Sequence, residues 1–363
     1  MSPADEERAF YARTEAEQVR ALEALGAEAL RHWGLGGAKL APAAYRENMT
    51  FRVDAAERGR FALRIHQAGY RTDAEIESEL AFMGALRERG VLTPEVVPAL
   101  GGQTFAVVRH ADVPELRQCD LFEWIDGRLL RRVDDGVPTD PEALAPAYAE
   151  LGRQAAAIAN AVETWERPKG FTRPAWDTEG MFGRQAHLGD WRTLPGLTTD
   201  QRRSFESLAE KLAADFEAFG RTPDRFGLCH GDFLPENLMV CDDGLRLLDF
   251  DDCVVGPAVQ DVWMLFPGRD AEGARQRSLA IEGYREFRPF EARWLELVEP
   301  LRALRFVFYA AWIARRWEDP AFPSAFPHFG TEAYWEREVV DLEQALAGEP
   351  IPEGESRKPA GVE

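Results

Sequence analysis

The stretch from Leu228 to Asp249 constrains this chain more than any other. Two apolar runs bracket a polar loop that holds His230, Asp232 and Asn237, and Cys241-Asp-Asp-Gly244 follows. The Asp243-Gly244 pair favours a tight hairpin turn, so residues 238–241 run out and 245–248 run back. That geometry predicts Asn237 and Asp249 side by side at the open end of the hairpin. An amide oxygen and a carboxylate meeting there make a hard-oxygen site suited to magnesium, which takes few protein ligands. Taken singly, these residues read as turn formers and caps. Arranged around one hairpin, with Asp232 just upstream, they read as a site.

The chemistry that needs such parts is phosphoryl transfer: a metal clamp on phosphates and a carboxylate that orients an incoming hydroxyl. A cation is also needed to hold the phosphates. Phe61–His66 is strand-like, and its mid-strand candidate is Arg64. The helix expected over Asp73–Arg89 carries an apolar stripe of Ile76, Leu80, Met83 and Leu86. Glu79 falls inside that stripe, whereas Glu77 points away. A carboxylate on an apolar face needs a buried partner, and Arg64 is the natural one. An ordinary strand-to-helix salt bridge would use the same pair. No GxGxxG loop is present, so Tyr45-Arg-Glu-Asn48, between the first two presumptive strands, would have to cover the phosphates. Adenine would lie against the hinge that follows Leu121–Ile125.

Around these residues the chain reads as α+β. Residues 5–33 are helical with a docking stripe of Val19, Leu22, Leu25 and Leu30, ended by Gly34, Gly36 and Gly37. Strand-like runs follow at Thr50–Val53, Phe61–Ile65, Thr104–Val108 and Leu121–Ile125. The expected organisation is a helical extension over 1–38, a small sheet with one helix over 39–125, a mostly helical part over 126–346, and a disordered tail over 347–363.

Composition narrows the partners. The 363 residues carry 43 basic and 63 acidic side chains, a formal charge of −20. That argues against nucleic acid, whose phosphates demand a basic surface. It would suit a cationic substrate, although an ordinary solvated surface explains it as well. Cys119, Cys229, Cys241 and Cys253 lack metal-binding spacing and read as buried hydrophobes in a reducing compartment. No apolar leader or membrane-length run stands out, so the expectation is a cytoplasmic protein with no membrane partner.

HGDxxxxN followed by a hairpin and DxD resembles the catalytic and metal motifs of the aminoglycoside phosphotransferase and choline kinase superfamily, relatives of protein kinases. The resemblance implies a two-lobed kinase-like fold, with a small antiparallel-sheet N-lobe bearing one helix and a larger helical C-lobe. It implies Asp232 as catalytic base, Asn237 and Asp249 as Mg2+ ligands, ATP as co-substrate, and Arg64, Glu79 and Asn48 on the nucleotide. His230 would support the loop, and Asp251 could add a ligand. Lysine is frequent in the superfamily where this chain has Arg64. Arginine keeps the charge but changes the geometry.

Asp249–Met264 and Glu299–Trp312, with Arg315–Pro323, are similar to the bacterial stress response kinase A group of Ser/Thr protein kinases. That likeness implies that Asp261 braces the catalytic loop. Trp312 and Trp317 read as core packing. The stretch Trp165–Trp176 instead resembles other bacterial phosphotransferases of the superfamily. The acceptor is therefore either protein Ser/Thr or a small hydroxyl compound such as an amino alcohol or aminoglycoside. An acidic, tight pocket would mark the small-molecule enzyme and an open groove the protein kinase. A nucleotide-binding pseudokinase is a third reading, against which Asp232, Asn237 and Asp249 all stand intact.

Overall fold

The computed structural model describes residues 3–45, 48–130, 145–184, 186–187, 189–266, 268, 270–317 and 321–347. The expected tail beyond 347 and Arg46-Glu47 of the phosphate-covering segment lie outside the described residues. Two compact units divide the chain. One takes Met1–Arg128, Glu166–Thr172 and Met239–Asp251, and the other takes Leu129–Trp165, Arg173–Leu238 and Asp252–Glu363.

The first unit begins with α1 (Pro3–Tyr11) and α2 (Glu15–Ala29). The two separate at Thr14 because its side chain and that of Glu17 form a reciprocal capping box. A short 3-10 turn, Leu30–Trp33, closes on Gly34, which sits at φ 68°, a conformation glycine adopts without strain. The sheet then assembles from β1 (Lys39–Tyr45), β2 (Met49–Asp54) and β3 (Arg60–Ile65). After α3 (Asp73–Glu88) come β4 (Phe105–His110) and β5 (Val113–Glu123). All neighbours are antiparallel in the order β1-β2-β3-β5-β4.

Alternation in β2 buries Met49, Phe51 and Val53 on one face. These meet Phe10, Leu22, Leu25, Leu30 and Trp33 from the N-terminal helices together with Leu63 and Leu121. The 1–38 segment thus shares its core with the sheet. Each fully buried Leu or Phe contributes about 1.5–3 kcal/mol, so the extension is integral to this unit. The strand expected at Leu121–Ile125 is corrected: β5 starts at Val113 and ends at Glu123. The hairpin pairs Leu238–Cys241 with Gly244–Leu247. Phe250 beyond it is fully buried and packs edge-on to Phe82 of α3 at 5.8 Å.

The second unit is mostly helical: α4 (Ala145–Glu163), α5 (Thr178–Phe182), α6 (Thr199–Phe219), α7 (Val259–Leu265), α8 (Ala271–Arg285), α9 (Val298–Arg315), α10 (Ala321–Ala325) and α11 (Glu332–Ala347). Helices α4 and α8 approach backbone to backbone. A Cβ on Gly152 would lie 1.7 Å from Ala280 O, and one on Gly283 would lie 1.9 Å from Ala149 O. Two short antiparallel strands, Phe226–Cys229 and Val254–Pro257, hold the chain on either side of the polar loop. Among the described residues no helix is long and apolar enough to cross a membrane.

Candidate active site

In the second unit the polar loop leaves its strand at Cys229 and is pinned within two residues. His230 and Gly231 donate their backbone N–H groups to the two carboxylate oxygens of Asp261, at 2.8 and 3.0 Å. Asp261 sits on α7, almost wholly buried. Burial raises its pKa above the ordinary carboxylate value, while His230 and the two backbone N–H bonds pull the other way. Gln260 adds a bond from its amide to Gly231 O at 3.2 Å and is itself held by the Trp263 indole at 2.8 Å. Gly231 cannot be replaced cheaply. Its φ is 83° and an added Cβ would stand 2.3 Å from Asp252 O. The buried His230 ring stacks on Phe233 at 5.5 Å.

This clamp fixes Asp232. Asn237 donates its amide Nδ2 to Asp232 O at 2.9 Å and to Asp232 Oδ2 at 3.0 Å. The other carboxylate oxygen, Oδ1, accepts from Arg305 Nη2 of α9 at 2.9 Å. With Nδ2 committed, the Asn237 oxygen is the part of that amide suited to a hard cation. Arg305 was absent from the reading of the sequence, since nothing local links it to a loop 73 residues away.

The first unit carries the cation cluster. Arg64 of β3 donates Nη1 to Glu79 Oε1 of α3 at 2.8 Å. Its Nε and Nη2 form a fork on Asp120 of β5, at 3.1 and 2.6 Å. His66 Nε2 also meets Asp120 Oδ2, at 2.9 Å. Glu79 and Asp120 are fully buried and Arg64 nearly so. Burial alone would lower the Arg64 pKa, but Asp120, Glu79 and Asp251 raise it well above the usual value. Asp120 is the carboxylate that sequence reasoning missed. Its signal was the strand register, in which Arg64 lies directly opposite Asp120.

Asn48 donates to Asp251 Oδ2 at 3.1 Å and accepts from the Gln67 backbone N–H at 3.1 Å. Arg71, also buried, lies 3.5 Å from Asp251 Oδ1. Asp251 is therefore held by side chains of its own unit. Asp249 is exposed and adopts φ 59°, a left-handed conformation that costs a non-glycine residue about 1–3 kcal/mol. Beside the segment Glu123–Asp126 opens a cavity of about 310 Å³. Five carboxylates and two arginines line it, which suits no anionic ligand.

Asn237 and Asp249 fall in different units. Among the described residues no group of three or more His, Cys, Asp or Glu converges as a metal cage. A magnesium site built from one amide and one carboxylate would not form such a group, and hard oxygens are the donors it takes. The donor chemistry of these two residues fits the ion.

Trp312 and Trp317, expected in the core, are half-buried. Trp312 stacks on Tyr309 at 5.3 Å and meets Phe322 edge-on at 5.0 Å. Trp317 leans on Phe329 at 5.2 Å. Helix α9 buries one side, and its opposite side presents arginines and aromatics.

The loop thus has its backbone clamped by a buried acid and its carboxylate held at both oxygens, and the strand arginine is tied to a helix glutamate. The chain belongs to the phosphotransferase enzyme family, whose profile matches residues 40–328. Stress response kinase A of Escherichia coli (strain K12) is 42% identical over 145 residues, covering 40% of this chain and 44% of that protein. The serine/threonine protein kinase RdoA of Salmonella typhimurium is 39% identical over 175 residues, covering 48% and 52%. This chain thus spans about half the length of the curated relatives it matches. Among solved structures, a microcompartment-associated aminopropanol kinase superposes with TM-score 0.69 at 27% identity, over 89% of this chain and 95% of that one. An amicoumacin kinase shares the fold at 16% identity, with TM-score 0.66 over 86% of this chain and 89% of that one. The fold is kinase-like and α+β.

Proposed function

We propose that the protein transfers the γ-phosphoryl group of ATP to a hydroxyl, with protein Ser/Thr as the acceptor and Mg2+ as the metal. The observation that carries this reading is the state of Asp232, whose two carboxylate oxygens are oriented by Asn237 and Arg305 on a loop clamped by Asp261. A base must be aimed before it can work, and these bonds aim it.

In the reaction, the acceptor oxygen attacks the γ-phosphorus as the bond to the ADP oxygen breaks. The hydroxyl proton passes late to Asp232, and the electron pair of the broken bond leaves with ADP. Asn237 and Asp249 would hold the magnesium ion, which supplies charge neutralisation on the phosphates when bound. Arg64 would meet the nucleotide phosphates, but Glu79 and Asp120 hold its guanidinium and offset its charge, so a phosphate contact requires Arg64 to give up one of these bonds. Asn48 is itself held by Asp251 and by the Gln67 backbone N–H.

A second reading has specific support. The aminopropanol kinase resembles this chain over nearly its whole length, which favours a small amino-alcohol acceptor. Incubation with labelled ATP and Mg2+, with and without a protein acceptor such as myelin basic protein or casein, separates the two. Label on protein that disappears in Asp232→Ala supports the first reading. Label confined to small alcohols supports the second, and transfer that survives Asp232→Ala removes Asp232 as the base.

A further inference from the structure

Helix α9 departs from the charge of the rest of the chain. Acidic residues outnumber basic ones by 63 to 43 overall, yet α9 and its C-cap Arg316 hold four arginines, Arg302, Arg305, Arg315 and Arg316, against the single Glu299. Glu299 is engaged by Arg302, whose guanidinium also lies over the Trp263 ring at 5.1 Å. Arg305, Tyr309, Trp312 and Arg316 follow at helical spacing of three and four residues, so they share one face. That face is continuous: Tyr309 stacks on Trp312, and the Arg316 guanidinium lies 5.2 Å from the Trp312 ring centroid. It begins at Arg305, whose side chain is 31% exposed and bonded to Asp232 through Nη2.

A guanidinium has five N–H donors. Among the described residues Asp232 is the partner of Arg305, and Nη1 and Nε remain available on the same planar group. An anion bound there would stand within a few ångströms of the carboxylate that receives the hydroxyl proton. Asp232 offsets the charge of Arg305 at 2.9 Å, so the distinction lies in the free N–H donors, which bond to an anion and offer nothing to a cation.

We infer that Arg305 selects acceptors carrying an anionic group next to the phosphorylated hydroxyl. The inference rests on the reading of Asp232 as the base. The chemistry shared by candidate acceptors is a hydroxyl flanked by a carboxylate, either a Ser/Thr followed by acidic residues or a free hydroxy acid. Tyr309 and Trp312 are partly covered by Phe322 and Phe326, so both sources are carried into the test.

The test uses the full chain and matched acceptor pairs of opposite charge. One pair is a serine peptide flanked by glutamates and the same peptide flanked by lysines. The other is glycerate and 3-aminopropane-1,2-diol. Label from ATP is measured for the wild type, Arg305→Gln, Arg305→Lys and Asp232→Ala. The wild type should favour the anionic member of a pair by about tenfold or more, as a charge-assisted contact allows. Arg305→Gln should bring that ratio near one, and Arg305→Lys should restore part of it. A merely structural role for Arg305 would lower both members equally and leave the ratio unchanged, which overturns the inference. Preference for the cationic member overturns it too. Transfer that persists in Asp232→Ala, or transfer to no member of either pair, removes the reading of the site itself. Labelling of the acidic peptide against labelling of glycerate tells the two acceptor sources apart.

Discussion

Two arginine–carboxylate clusters, one in each unit, are built from the same side chains and behave oppositely. Arg64 with Glu79 and Asp120 is sealed: the arginine side chain is 10% exposed and both acids 0%. Arg305 with Asp232 is open, at 31% and 21%. Charges in the sealed cluster have lost their hydration and depend on one another, so removing one strands the rest. The open pair keeps part of its water and contributes little to stability. Burial, not the identity of the residues, sorts a framework pair from one that can exchange partners with a substrate. It also explains why Arg64, proposed from its strand position to meet phosphate, is the less adaptable of the two arginines.

The sharpest attack on this contrast is Asp232→Ala. Loss of a general base should lower the transfer rate about 10²–10⁴-fold, while urea unfolding shifts by less than about 1 kcal/mol. A variant that unfolds as readily as it loses activity would erase the contrast. Asp120→Ala should show the reverse pattern on stability, with a loss of about 3–5 kcal/mol in the same urea titration. A loss below about 1 kcal/mol there would mean that the sealed cluster is not sealed. Asp249→Ala should weaken nucleotide binding at least about tenfold in the presence of Mg2+ and leave binding without the metal unchanged, read by calorimetry.

Acid weakens the sealed cluster through the difference between the folded and unfolded chain. Burial pushes the Asp120 pKa up, but Arg64 and His66 outweigh it and hold it well below the ordinary carboxylate value. A depressed folded-state pKa gives stability that is present above the unfolded value, about 3.9, and is lost as pH falls through that value toward the folded one. Unfolding free energy followed below about pH 4 should therefore drop, and the drop should shrink in Asp120→Asn. The smallest effect belongs to Arg305→Gln, which should change the unfolding midpoint by less than about 1 kcal/mol.

Local patterns carried much of this molecule in advance. The hairpin followed from Asp243-Gly244, α3 from its apolar stripe, and the Arg64–Glu79 bond from a lone carboxylate within that stripe. What escaped were features set by pairing across the chain. Asp120 becomes meaningful only when β3 and β5 are in register, and Arg305 only when α9 folds against the loop. β1 left little trace because Pro42 and a register shift between Pro42 and Ala44 interrupt it, and it buries little. Trp312 of α9 and Trp317 just beyond it escaped for a similar reason, since an apolar sequence does not say which side finds a covering partner.

The division of the chain also has a consequence for its birth. The first unit is threaded through three separate stretches, and the last, Met239–Asp251, is made long after β5 ends at Glu123. A ribosome adding roughly 5–20 residues per second needs on the order of ten seconds to cover that interval. During that time the nascent sheet waits without Phe250, the buried ring that meets Phe82. Codon usage and chaperone supply across residues 124–250 should therefore govern the yield of active protein more than the same changes upstream of β1.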